Sequence, residues 1–307
     1  MPVNKQSIGG LKTMDFKDLN LKELDKNLTE PERAEWQAIY ASYRSGSVMY
    51  GNVVGVDLHE FKLRPINEED EAEKRKMRCL IVIQYRVKII IPEHEVFIGD
   101  RSTEYHMLHS MCGARVSYVI THIDREEGFA IASRKLSLEK IRRASIRRMG
   151  KPGDVVDVDV LAVSPNLCTV TYNGYDVTVP QRDVSYGRIE DLRAEMLPGD
   201  VKKAMITEYD DDERMLRLTL KGATAHPFDG IEIRHPLGST RLARIVGKYA
   251  GGVFCRLYDG VTTVLCSYLS MQYDGDFGDG DTVEIIINKY NYENKQVYGK
   301  ILRKIGT

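Results

Sequence analysis

The sequence predicts a mainly β protein: three tandem five-stranded Greek-key barrels with an N-terminal helical arm and a basic linker helix. Three observations predict it. First, a twelve-residue pattern recurs without gaps as GARVSYVITHID (113–124), GDVKKAMITEYD (199–210) and GDTVEIIINKYN (280–291). Each copy opens on Gly and closes on Asp or Asn, with Ile120, Ile206 and Ile287 at one shared position. The first two copies also continue alike, as Asp124…Ser133, Lys135 and Asp210…Thr219, Lys221, in the manner of a strand, turn and returning strand. Second, each pattern has an upstream partner that opens on Gly and alternates into β-branched residues: GSVMYGNVVGVDL (46–58), GDVVDVDVLAV (153–163) and GSTRLARIVGK (238–248). Third, the spacing from start to hairpin is 67, 46 and 42 residues, room for further strands in between. In the second copy those strands meet at Asn173-Gly174, a strong type I′ turn signal.

The elements come in this order along the chain. Residues 1–28 are polar, and the composition predicts a poorly ordered arm. Thr29 and Glu32 form a capping box with Pro31 in the first turn, and Trp36, Ile39, Tyr40 and Tyr43 fall at helical spacing. The arm and its helix therefore occupy 1–44, with the helix packing onto the first barrel or docking on a larger partner. The first barrel takes 45–136, enlarged by a charged insertion at 65–77 that reads as a solvated hairpin loop. The second takes 152–221 and the third 238–307, with an irregular linker at 222–237. Between the first two lies a basic helix at 137–151. Over 133–151 eight Lys/Arg stand against the one acid Glu139. A one-sided charge run of this kind is as compatible with phosphate contact as with a solvated face.

Composition narrows the function class. The chain has 307 residues, 42% hydrophobic and 29% charged, with a net charge of −1. No apolar run has the length of a membrane span, and the first twenty residues lack the apolar stretch of a signal peptide. Five cysteines without a CxxC pair point to reduced thiols and a cytoplasmic location. There is no P-loop, HExxH or GxSxG, so no enzyme is predicted. His106, His109 and Cys112 supply three metal-ligating side chains. A structural zinc site takes four, so no metal or other cofactor is expected.

The most informative stretch is GGVFCRLYDG (251–260). As a strand it turns Val253, Cys255 and Leu257 to one face and Phe254, Arg256 and Tyr258 to the other. Two aromatic rings and a guanidinium on the wet face form a stacking platform for unstacked bases, or else a surface covered by a neighbouring domain.

Five short strands with a longer connection before the last two fit the OB type of barrel. The pattern resembles the RNA-binding domain of the ribosomal protein S-one family. The residues that carry the resemblance are Gly252-Val253-Phe254-Cys255, Gly280-Asp281-Thr282-Val283, Asp124…Ser133-Arg134-Lys135 and Asp210…Thr219-Leu220-Lys221. It covers residues 45–307 except the linkers. By that resemblance the chain is a single-stranded RNA-binding protein of translation or mRNA handling, with mRNA and the small ribosomal subunit as partners. The resemblance places Phe254 at a stacking aromatic, Tyr249 near a second, and Cys266 where the family often has His, with Tyr268 two residues on. Lys248, Arg256, Tyr258, Lys300 and Arg303 complete the candidate surface, and Arg142, Arg143, Arg147 and Arg148 extend it to the basic linker.

The first two copies depart from the pattern, with Cys168 and Leu80 or a neighbour at the Phe254 position, and Pro180 and Pro92 at the His position. The second barrel carries eight Lys/Arg against fourteen Asp/Glu, a net −6 that repels phosphate, whereas the third has nine against seven. RNA contact is therefore expected on the third barrel and the basic linker. The alternatives are a protein-interaction scaffold built on the same barrels, or an accessory module of an RNA-processing complex.

Overall fold

A computed structural model describes residues 28–62, 74–98, 105–125, 127–187, 189, 191–210, 215–249, 251–269 and 274–306. The arm at 1–27 and most of the 65–77 insertion lie outside them. The chain divides into two compact units, residues 1–179 with 191–218, and residues 180–190 with 219–307. The strands of the first two barrels fall in the first unit except for their residues Pro180 and Thr219, and the third barrel falls in the second.

Helix α1 (Glu30–Ser45) starts at the capping box: the Thr29 amide donates to the Glu32 carboxylate at 2.9 Å. That hydrogen bonding, first of all from the Thr29 hydroxyl, holds the Glu32 carboxyl below its usual range. Trp36, Ile39 and Tyr40 are buried in the core of the first barrel, so α1 is part of that barrel.

The first barrel comprises β1 (Met49–Lys62), β2 (Lys74–Gln84), β3 (Val87–Pro92), a short helix α2 (Tyr105–His109), β4 (Arg115–Asp124) and β5 (Phe129–Ser133). It closes in the order β1-β2-β3-β5-β4, and the parallel β3–β5 pairing completes the ring. The β2–β3 hairpin turns on Tyr85 and Arg86, both at positive φ (50° and 60°). A left-handed conformation costs a residue with a Cβ roughly 1–2 kcal/mol.

Helix α3 (Arg134–Ser145) follows β5 directly, and Ser133 is its N-cap, with Oγ accepting from the Leu136 amide at 3.1 Å. The helix begins earlier than the 137–151 read from sequence and gives way to a 3-10 turn at Ile146–Arg148.

The second sheet comprises β6 (Val155–Val163), β7 (Leu167–Tyr172), β8 (Tyr175–Pro180), β9 (Val201–Asp210) and β10 (Met215–Thr219). Its order is β10-β9-β6-β7-β8, and it is not closed as the other two are. Asn173 and Gly174 form its left-handed turn, at φ 47° and 83°. Gly174 also allows close approach: a Cβ there would sit 2.5 Å from the Leu138 carbonyl oxygen of α3.

A short helix α4 (Ile231–Arg234) precedes the third barrel, which comprises β11 (Thr240–Tyr249), β12 (Gly252–Leu257), β13 (Thr263–Ser267), β14 (Thr282–Asn291) and β15 (Gln296–Lys304). It closes in the order β11-β12-β13-β15-β14 around Ile245, Val253, Cys255, Val264, Ile285 and Ile301. The architecture is the predicted one, three tandem five-stranded OB-type folds, with the second sheet open.

Candidate nucleic-acid interface

Strand β12 alternates as its sequence dictates. Val253, Cys255 and Leu257 are buried, while Phe254 and Arg256 are half-buried on the outer side. Strand register extends the outer row. Phe254 pairs with Leu265 of β13, and Leu265 pairs with Tyr298 of β15. Partners across a ladder share a face, so Phe254, Leu265 and Tyr298 form one apolar row across three strands. The Tyr249 ring lies 5.1 Å from that of Phe254. Gly252 makes room for it, since a Cβ there would meet the Tyr249 hydroxyl at 2.8 Å and the Cys266 carbonyl oxygen at 2.0 Å. The Tyr249 hydroxyl donates to that carbonyl at 3.5 Å, and burial pushes its pKa up.

Polar groups flank the row. On the same face, Arg256 pairs with Thr263 and Lys300 with Ser267. The Arg256 Nε is buried without a hydrogen-bond partner among the described residues. Lys300 and Lys248 are exposed. Tyr258 is exposed in the turn after β12.

Several sequence-derived positions are corrected. Cys266 faces the core: its thiol is buried and pushed up by a hydrogen bond with Cys255 and by burial, so the outer-face neighbours are Leu265 and Ser267. Tyr268 stacks on Phe277 (centroids 5.5 Å, planes 17° apart) and packs on the core rather than joining the platform. Arg303 donates through Nε to the Glu284 carboxylate at 2.6 Å while its side chain stays exposed. The position of Phe254, opposite the bulge Gly247, corresponds to Ile81, the neighbour of Leu80, opposite Gly55, and to Thr169 rather than Cys168 opposite Ala162. Tyr298 escaped the sequence reading. The signal was there, because Val297 and Ile301 mark the buried parity of β15 and leave Tyr298 outside.

The basic linker divides in two. Arg142 donates through Nε to the Gly174 carbonyl at 2.8 Å and lies 4.2 Å above the Tyr175 ring, which fastens α3 to the second barrel. Lys140 is bound to the Gly46 carbonyl. Arg134, buried at 1% exposure, grips Asp176 with two hydrogen bonds of 2.7 Å and donates to the Val96 carbonyl. What remains at the surface is Arg143, 3.8 Å from Glu139, together with Arg147, Arg148 and Lys151.

The second barrel offers no comparable row among the described residues. Thr169 is buried, and Arg217 lies 3.4 Å from Glu208. No group of His, Cys, Asp or Glu among the described residues is arranged to hold a metal ion, and the His106 side chain lies outside them.

No family model matches the chain. A small ribosomal subunit protein bS1 homolog of Bacillus cereus is 25% identical over 187 residues, 59% of this chain and 47% of that protein. The chain is similar to S1 proteins over that stretch. A 4-hydroxy-3-methylbut-2-enyl diphosphate reductase of Clostridium acetobutylicum is 26% identical over 195 residues, 61% of this chain and 30% of that protein. The chain therefore spans less than half the length of these relatives. Among solved structures, a multidomain protein with nucleic acid binding domains from Streptococcus pneumoniae is 10% identical across 84% of this chain and 74% of that one. Its TM-score of 0.19 is too low to bear on the fold. No helix among the described residues is long and apolar enough to cross a membrane.

Proposed function

We propose that the chain is a non-enzymatic, cytoplasmic single-stranded RNA-binding protein acting in translation or mRNA handling. The observation that carries this reading is the Phe254–Leu265–Tyr298 row, flanked by Tyr249, Arg256 and Lys300. Aromatic faces stack on unpaired bases, and the cations beside them take the phosphates. Kinship with bS1 proteins supports the reading and makes mRNA and the small ribosomal subunit the partners to test. The matched stretch is less than a third of the reductase relative, so that enzyme's activity is not carried over.

A protein-interaction role has one specific observation in its favour, the second barrel's net −6 without an aromatic row. The deciding experiment is binding of fluorescent single-stranded RNA at several salt concentrations, with Phe254→Ala beside the wild type. Affinity should fall steeply with salt. Loss of one stacked base, about 1–3 kcal/mol, should weaken the variant at least about fivefold. Binding indifferent to both would move the scaffold reading ahead.

A further inference from the structure

We propose that the first barrel carries a second RNA-stacking site at the tip of its β2–β3 hairpin, formed by Tyr50, Tyr85, Arg86 and Arg115. This rests on the RNA reading above but uses different residues, at registers distinct from those of the third-barrel row. At the registers of Phe254, Leu265 and Tyr298 the first barrel has Ile81, Ile90 and Ile131, all buried. That face is closed. The barrel instead leaves two tyrosines open elsewhere, Tyr50 at 48% and Tyr85 at 46% exposure.

The two lie at neighbouring positions. Tyr50 adjoins Gly51 and Tyr85 adjoins Gln84, and a Cβ on Gly51 would lie 3.4 Å from the Gln84 side-chain oxygen. Each ring comes with a guanidinium. Arg115 lies 5.0 Å above the Tyr50 ring, and Arg86, next to Tyr85, is exposed with the largely buried carboxylate of Glu35 opposite it at 3.3 Å. An arginine that already lies along an aromatic face can take a phosphate while the open side of the ring takes a base.

The backbone supplies an independent argument. A two-residue turn with positive φ at both positions is normally Asn-Gly, and the second barrel has Asn173-Gly174 at its corresponding hairpin. The first barrel holds Tyr85 and Arg86 there, two residues that pay for the left-handed conformation in strain. Strain retained at a surface tip that stability would rather relax marks a functional position. The chemistry retained, an aromatic ring and a cation, is that of single-stranded RNA recognition.

The test is a replacement that relaxes the turn while removing the chemistry. In the full chain, Tyr85→Asn with Arg86→Gly should raise the thermal midpoint and weaken binding of a fluorescent uridine oligomer severalfold. Tyr50→Leu, which keeps bulk but removes the ring, should weaken binding to a similar degree. Phe254→Ala is run in parallel. If Phe254→Ala weakens binding while the Tyr50 and Tyr85 variants bind as wild type, the inference fails, the third-barrel reading stands, and the patch is reassigned to a protein contact. If the wild type does not bind the oligomer at all, both fail together. A double variant that melts lower would remove the strain argument, and Tyr50→Leu binding as wild type would then overturn the proposal.

Discussion

The first and third barrels place different side chains at the same registers, and the contrast shows how one fold is put to two uses. Across three strands the third barrel presents Phe254, Leu265 and Tyr298, partly open to solvent, and the first buries Ile81, Ile90 and Ile131. The isoleucines join Phe61 and Cys79 in a small outer cluster, with Met77 and Phe129 packed against it. The His59 ring stands edge-on to both Phe61 and Phe129, at 4.8 Å in each case. Elongated β1 and β2 supply Phe61 and Met77, so the long hairpin is what allows this face to serve as core. A further corresponding position holds Ile301 within β15 of the third barrel, Leu220 just after β10 in the second and Arg134 just after β5 in the first, all buried. Where the other two hold an apolar residue, the first holds a charged one, which Asp176 of the second barrel meets at 2.7 Å.

The largest expected effect tests that last exchange. Arg134→Ala strands the Asp176 carboxylate, and loss of one partner of a buried pair costs about 3–5 kcal/mol. Urea denaturation of the full chain should show it. Arg134→Leu combined with Asp176→Val should recover most of the loss, since an apolar pair of similar volume is tolerated. Failure of the double variant would mean that the hydrogen bond to Val96, not the ion pair, dominates. Next comes Ile81→Ala, which should cost about 2–4 kcal/mol of stability as a buried truncation and leave RNA affinity unchanged. Its counterpart Phe254→Ala should do the reverse, with less than about 1 kcal/mol lost in stability because the ring is half open. If both variants behaved alike, the two faces would be doing one job. The smallest effect is chemical. Burial pushes the Cys79 thiol up to about 12 and the Cys168 thiol up to about 11, from an ordinary value of 9.0. These groups favour the neutral, folded state, so the stability they lend is complete below the unfolded pKa and fades as pH rises through the folded one. At pH 8 a thiol reagent should label Cys112, half-buried, well before the other four, which are buried.

Much of this was legible in the sequence. The three Gly-to-Asp/Asn copies gave three hairpins in register because gap-free repetition preserves strand parity. The face of Phe254 followed from simple alternation. What could not be read were the offsets created by β-bulges. Each first strand slips by one residue, at Val53/Gly55, Val160/Ala162 and Ile245/Gly247. A linear count across strands therefore lands one position off, which is how Cys168 stood in for Thr169. Cys266 and Tyr268 failed for a related reason, since the count from β12 to β13 assigned the wrong parity. Nor does net charge reveal which arginines are already engaged. Arg134 and Arg142 look the same as Arg147 and Arg148 in the sequence, and only packing against Asp176 and Tyr175 separates them.

The junction of α3 with the second barrel also limits how the chain can be divided. Three tandem repeats invite cutting at the linkers, as if each barrel were an interchangeable bead. A fragment that stopped at the basic helix would carry a guanidinium built into its interior with no carboxylate to answer it, and a helix flank shaped to receive Gly174. The smallest self-sufficient piece of the N-terminal region is thus two barrels long. Recombination within this chain would have to exchange that pair as a single item of inheritance.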